Sequence, residues 1–205
     1  MGRAFSEHEK EQIRARMIEI SKEEFEKTPF QLVKVEFIAK QVGISKGAFY
    51  NFYPSKESLF LDVLIEVEAE IQRDILSRLT SHRLLREQLI DILYSSMILF
   101  EKSHIFKSFS DRQIQTSLLE KASQAQKSQM LLADQQMLSM LLRDDSDLKV
   151  SRDVALDMMR SVFFIAPYKD QLESNFEVFM KHYITSIIEG IIKEDATAFR
   201  PEDGV

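Results

Sequence analysis

The stretch Ser45-Lys46-Gly47-Ala48-Phe49-Tyr50-Asn51 sets a cation, a residue without a side chain, a methyl group and a phenol side by side. Each type suits one part of a DNA groove. Lys46 can donate to guanine acceptors or to phosphate, and Ala48 can meet a thymine methyl. Gly47 lets the backbone approach a base edge closely. Tyr50 carries a hydroxyl at the far side of a short helix, suited to a phosphate. Ser45 can cap that helix, whose N-terminus offers partial positive charge and free N–H groups to an anion. Lys56 follows in the first turn of the next helix, where the dipole repels it, so it must face an anion or water.

Such a row works only if short helices aim it. Ser6 with Glu9 three residues on is a capping box that opens a first helix, and Ile13, Met17, Ile20 and Phe25 give it a buried face. Pro29 stops it. A second helix is expected over about 34–42, burying Phe37, Ile38 and Val42, with Gly43 as its left-handed stop. A third, capped by Ser45, places Phe49 back on Ile38 and Val42. Two helices joined by a glycine-containing turn form a helix-turn-helix. Pro54-Ser55 then breaks the chain and restarts it. A long fourth helix follows, with Leu59, Phe60, Val63, Leu64, Val67 and Ile71 as its stripe. Turns of this kind are common, so the pattern alone also suits a plain helical domain.

The 205 residues include 5 Gly, 4 Pro and no Cys, which favours helix and excludes disulfides and thiolate metal sites. No apolar block of signal-peptide form opens the chain and no run reaches membrane-spanning length, so a soluble cytoplasmic protein without membrane contact is expected. The net charge of −6 argues at first against nucleic acid. Its distribution reverses that: residues 31–60 carry four lysines against two glutamates, whereas residues 61–205 carry 17 basic and 24 acidic groups. Local charge at a docking face matters more than the total.

Between residues 38 and 60 several features coincide: Ile38-Ala39, Gly43, Ser45, Lys46-Gly47, Phe49-Tyr50, Pro54-Ser55-Lys56-Glu57 and Leu59-Phe60. That combination resembles the TetR family of transcriptional regulators, specifically over about residues 10–65 and only in helix number, order and length beyond. The resemblance implies an all-α fold. An N-terminal three-helix helix-turn-helix domain, residues 1–54, would be followed by a helical effector-binding and dimerisation domain, residues 55–195, and a flexible tail, 196–205. It implies a homodimer on double-stranded DNA, released by a small-molecule effector of unknown identity. Lys46 and Gly47 match positions that look base-reading, and Ala48 a variable one. Tyr50 and Lys56 match positions that hold phosphates; Phe49 and Tyr53 match core positions. Lys34 stands where the family usually has a phosphate-touching Thr, Asn51 where it has a His, and Phe52 where it has a Tyr. Pro29 stands where a Gly usually ends the first helix.

Further helices are expected over about 84–103, near 105–110, over 112–143 as one long helix, over about 151–166 and over about 172–194. The resemblance implies an effector pocket among them, with Tyr94, Met97, Phe100, Met137, Met159 and Phe163 as candidates; the same side chains suit a plain core. An apolar or amphipathic effector fits this lining. In the last helix Ser186 and Gly190 are small and four apart, beside a stripe that includes Tyr183 and Ile187. With Val154, Met158 and Ile165 in the preceding helix they suggest a two-fold, four-helix dimer seam. No catalytic constellation is found: the four His are isolated and no glycine-rich phosphate loop is present. Glu23, Glu24 and Glu26 read as a solvated face. The expectation is a ligand-responsive repressor with no cofactor, metal or enzymatic activity. The rival is a helical ligand-binding or scaffold protein that has lost DNA binding.

Overall fold

Ser6 opens the chain's first helix with a reciprocal cap. Its N–H donates to Glu9 Oε2 (2.8 Å), and the Glu9 N–H donates back to Ser6 Oγ (3.3 Å). The computed structural model describes residues 5–78, 85–130, 132, 145–194 and 196. They are all-α, as expected, and form two compact units: Met1–Glu70 with Ser103–Leu132, and Ile71–Lys102 with Ala133–Val205.

In the first unit α1 (Glu7–Lys27) ends ahead of Pro29, and a 3₁₀ turn (Phe30–Leu32) leads into α2 (Val35–Val42). Gly43 takes φ +86°, the left-handed value that ends α2 at little steric cost to a residue without Cβ. Then come α3 (Lys46–Phe52) and α4 (Lys56–Arg78), which gives its first turns to this unit. Phe60 meets Phe25 and Phe30 edge to face, at ring-centroid distances of 4.9 and 5.0 Å. Ile38 and Phe49 are fully buried and lock α2 and α3 together. The unit is completed by α6 (His104–Ser110), α7 (Arg112–Lys121) and α8 over residues 124–130.

Three expectations change here. Phe37, expected in the core, is 42% exposed. The buried positions Ile38, Ala39 and Val42 share one side of a short helix, and at 3.6 residues per turn Phe37 falls on the other. The single helix expected over 112–143 is interrupted. Ala122 is extended, and Ser123 and Gln126 form a second capping box that restarts the chain: the Ser123 N–H donates to Gln126 Oε1 (3.0 Å) and the Gln126 N–H to Ser123 Oγ (3.2 Å). Glu26 is no solvated face residue. It accepts from Ser103 Oγ (2.6 Å) and the His104 N–H (3.2 Å), so a carboxylate of α1 caps the N-terminus of α6.

In the second unit α5 (Leu85–Lys102), α9 (Arg152–Phe164) and α10 (Phe176–Ile191) pack on one another. Leu89, Met97, Met159, Ile184 and Ile188 form the centre of that core. A 3₁₀ segment (Ala166–Gln171) joins α9 to α10, which starts later than expected because Asn175 caps it, accepting from the Val178 N–H at 3.1 Å. Backbone pairing ties its far end: the Lys149 N–H donates to the Ile191 carbonyl and the Lys193 N–H to that of Asp147, both at 2.9 Å.

Candidate nucleic-acid interface

Ser45 organises the start of α3. Its hydroxyl accepts from the Ala48 N–H at 3.0 Å, satisfying one of the N–H groups that a helix start leaves without an intrahelical partner. Phe49 points inward and is fully buried, edge to face with the Tyr50 ring at 5.3 Å. Around that anchor Ser45, Lys46, Gly47, Tyr50 and Asn51 are exposed and Ala48 is half-buried. A Cβ built on Gly47 would meet only Ser45 Oγ, at 3.9 Å. The fold itself therefore leaves room for a side chain there. Lys34 is exposed at the N-cap of α2 and makes no side-chain cap.

Lys46 does not project freely. Its Nζ is 2.6 Å from Glu36 Oε1, a pair that joins α2 to α3. The hydrogen bond holds the Lys46 ammonium above its ordinary pKa and the Glu36 carboxyl below its own. Sequence reading had given Glu36 no role; its place ten residues before Lys46, on the facing side of a helix-turn-helix, was the available signal.

Lys56 is turned inward, which corrects its expected place at an anion or in water. Its Nζ donates to the carbonyls of Phe30 (2.6 Å) and Val33 (2.9 Å) and lies 4.3 Å from the centre of the Phe30 ring. Burial pulls its pKa below the usual lysine value. The carbonyls left over by the 3₁₀ turn thus capture an ammonium that the α4 dipole repels. Phe52 is buried, its ring 5.9 Å from that of Phe5. Tyr53 is buried too, under the Arg14 guanidinium at 5.5 Å. Burial and the neighbouring Asp62 raise its hydroxyl pKa, so it stays a neutral donor. A groove of about 1010 Å³ runs between the start of α1 and α3, lined by Phe5, Lys10, Arg14, Ser45, Ala48 and Asn51 among others.

In the second unit Met97 and Met159 are buried, and Tyr94 and Phe163 pack partly buried against the same core. The Phe100 and Phe163 rings are 5.4 Å apart. Met137 lies outside the described residues. Of the small and apolar residues on α9 and α10, Val154, Ser186 and Gly190 are exposed, Met158, Ile165 and Tyr183 are half-buried and Ile187 is buried. A Cβ on Gly190 would make only ordinary contact with Met158 Cε, at 3.6 Å, so packing of α9 on α10 within one chain does not require glycine there. Tyr183 Oη and Ser161 Oγ are 3.0 Å apart across the same two helices.

The α2–turn–α3 pair, with an outward cationic and aromatic row, forms a helix-turn-helix. Residues 18–63 match the family model for bacterial regulatory proteins, tetR family. Solved structures share the fold over most of the chain. A TetR transcriptional regulator from Rhodococcus sp. RHA1 is 14% identical, covering 88% of this chain and 98% of its own, with a TM-score of 0.61. FadR from Bacillus subtilis, in complex with stearoyl-CoA, is 13% identical over 86% and 98%, with a TM-score of 0.56. NalD, the secondary repressor of the MexAB-OprM multidrug efflux pump in Pseudomonas aeruginosa, is 16% identical over 92% and 100%, with a TM-score of 0.54. No curated protein matches the sequence. Among the described residues no helix is long and apolar enough to cross a membrane.

Proposed function

We propose that this chain is a ligand-responsive transcriptional repressor that binds a palindromic operator as a homodimer. The observation that carries this reading is the exposed row Lys46, Gly47, Tyr50 and Asn51 around a buried Phe49, inside a tetR-family domain. Residues 1–54 would lay α3 in the major groove, with half-sites about one helical turn or more apart. Lys34 and Tyr50 are the phosphate contacts of this reading; Lys46, Gly47 and Ala48 are its base contacts. Residues 55–195 would hold a small apolar or amphipathic effector near Tyr94, Met97, Phe100, Met137, Met159 and Phe163. The acyl-CoA held by FadR supports a helical pocket of that kind. Val154, Met158, Ile165, Tyr183, Ser186, Ile187 and Gly190 are the proposed seam, and the cytoplasm is the proposed place of action. Effector binding would move α4 and change the separation of the two recognition helices.

The test is a mobility shift with DNA from the chain's own upstream region, with Lys46→Ala and Tyr50→Phe beside the wild type. A retarded complex weakened by both substitutions supports the repressor. No complex at low salt, or one indifferent to both changes, favours the second reading, a helical ligand-binding or scaffold protein without DNA affinity. The inward Lys56 and the buried Phe52 favour that second reading, since both withdraw side chains from a phosphate-binding row.

A further inference from the structure

The pair Lys46–Glu36 puts a carboxylate on the face proposed to meet DNA, within 2.6 Å of the lysine best placed to touch it. Both side chains are about half exposed, so the pair contributes little to stability. Nor does it help affinity in general, because a carboxylate among phosphates is repelled. The Lys46 hydrogen bond, with a smaller contribution from the charge of Lys34, holds the Glu36 carboxyl below its ordinary pKa.

We infer that Glu36 is a specificity-determining residue that acts by positioning Lys46. This rests on the DNA-binding reading above and deepens it. An ammonium has three donors. One is held by Glu36 Oε1, which fixes the direction of the other two. Two donors in a fixed direction suit the O6 and N7 acceptors of a guanine. A phosphate asks only for positive charge, and the paired ammonium offers that charge already neutralised. Glu36 thus lowers the reward for binding any duplex while leaving the base contact intact. The gap between specific and non-specific affinity widens.

The experiment uses the full chain with two probes: the best duplex selected in vitro from a random pool, and a scrambled duplex of equal length. Affinity is measured across a salt series for wild type, Glu36→Gln, Lys46→Ala and the double variant, with circular dichroism to confirm folding. Glu36→Gln should tighten the scrambled duplex by up to about fivefold, the reach of an exposed ion pair. The selected duplex should change less. The salt slope on scrambled DNA should steepen by about 0.9, one further phosphate neutralised. Both effects should vanish in the Lys46→Ala background. Equal tightening in both backgrounds overturns the inference, since Glu36 would then act only as a repelling charge; so does an unchanged specificity ratio. If no duplex is selected and wild type matches Lys46→Ala on every probe, the DNA-binding reading itself fails and takes this one with it.

Discussion

Gln126 Nε2 donates at 2.6 Å to Asp62 Oδ1 and at 2.8 Å to the carbonyl of Ser58, so one buried amide ties the start of α8 to the first turns of α4. Asp62 also neighbours Tyr53, at the C-cap of α3, and with burial raises the pKa of its hydroxyl. Gln126 thus joins α8 to α4 beside the end of α3. Replacing Gln126 with Leu leaves a buried carbonyl and a carboxylate short of a donor, a loss of about 1–3 kcal/mol. Urea denaturation should show a lower midpoint with an unchanged slope. Tyr53→Phe should lose less, at most about 1 kcal/mol, because it removes one polar neighbour of Asp62 and leaves both Gln126 bonds in place. A Gln126→Leu variant as stable as wild type would deny those two bonds any energetic weight.

Lys56 offers a direct contrast between holding the fold and holding DNA. Its ammonium is shared between two carbonyls and the Phe30 ring. Lys56→Met keeps the stem and removes the donors, and should destabilise by about 1–3 kcal/mol in thermal or urea unfolding. Measured at a temperature where the variant is folded, the salt slope of DNA binding should match wild type. A slope shallower by about 0.9 would mean that Lys56 meets a phosphate after all.

Gly47 separates the same two roles from the other side. Nothing within the fold is closer to a built Cβ than Ser45 Oγ at 3.9 Å, and the φ of Gly47 is not left-handed. Ala is the better helix former by up to about 1 kcal/mol. Gly47→Ala should therefore leave stability equal or raise it, while weakening DNA binding tenfold or more if the backbone there lies against a base edge, about 1.4 kcal/mol or greater. Gly43→Ala is its counterpart. At φ +86° an alanine is strained by about 1–2 kcal/mol, so that variant should lose stability first.

What the sequence made legible was local. The Ser6–Glu9 and Ser45 caps and the Gly43 stop depend on neighbours within four residues, and the inward Phe49 on α2 only seven to eleven residues before it. The Ser123–Gln126 cap is equally local, but its S-x-x-Q signature was passed over in favour of one long helix. Phe37 was misjudged because hydrophobicity was read ahead of the angle it makes with Ile38 and Val42. Lys56, Glu26 and Gln126 were beyond local reading. Their partners lie at Phe30 and Val33, at Ser103, and at Ser58 and Asp62, and only tertiary packing brings an ammonium to those carbonyls or a carboxylate to that helix end. Glu36 was overlooked for a different reason: a lone exposed glutamate carries no signal until the turn folds it against Lys46.

Glu57 gives the first unit a dependence on acid. Burial raises its carboxyl, but the hydrogen bond and charge from Lys121 outweigh that and hold it below the ordinary carboxylate value. The pair is 2.6 Å apart and joins α4 to α7. A carboxyl whose folded pKa lies below its unfolded one binds protons more weakly when folded. Its contribution is therefore complete above the unfolded value and is lost as pH falls through the folded one. Wild type should lose stability over that window below about pH 4.3. Glu57→Gln should be less stable than wild type at neutral pH and should lose less on acidification, so that the two curves converge. Unfolding midpoints from pH 7 down to pH 3 measure this directly. Parallel curves for the two proteins would show that the Glu57–Lys121 pair is not the source of the acid sensitivity.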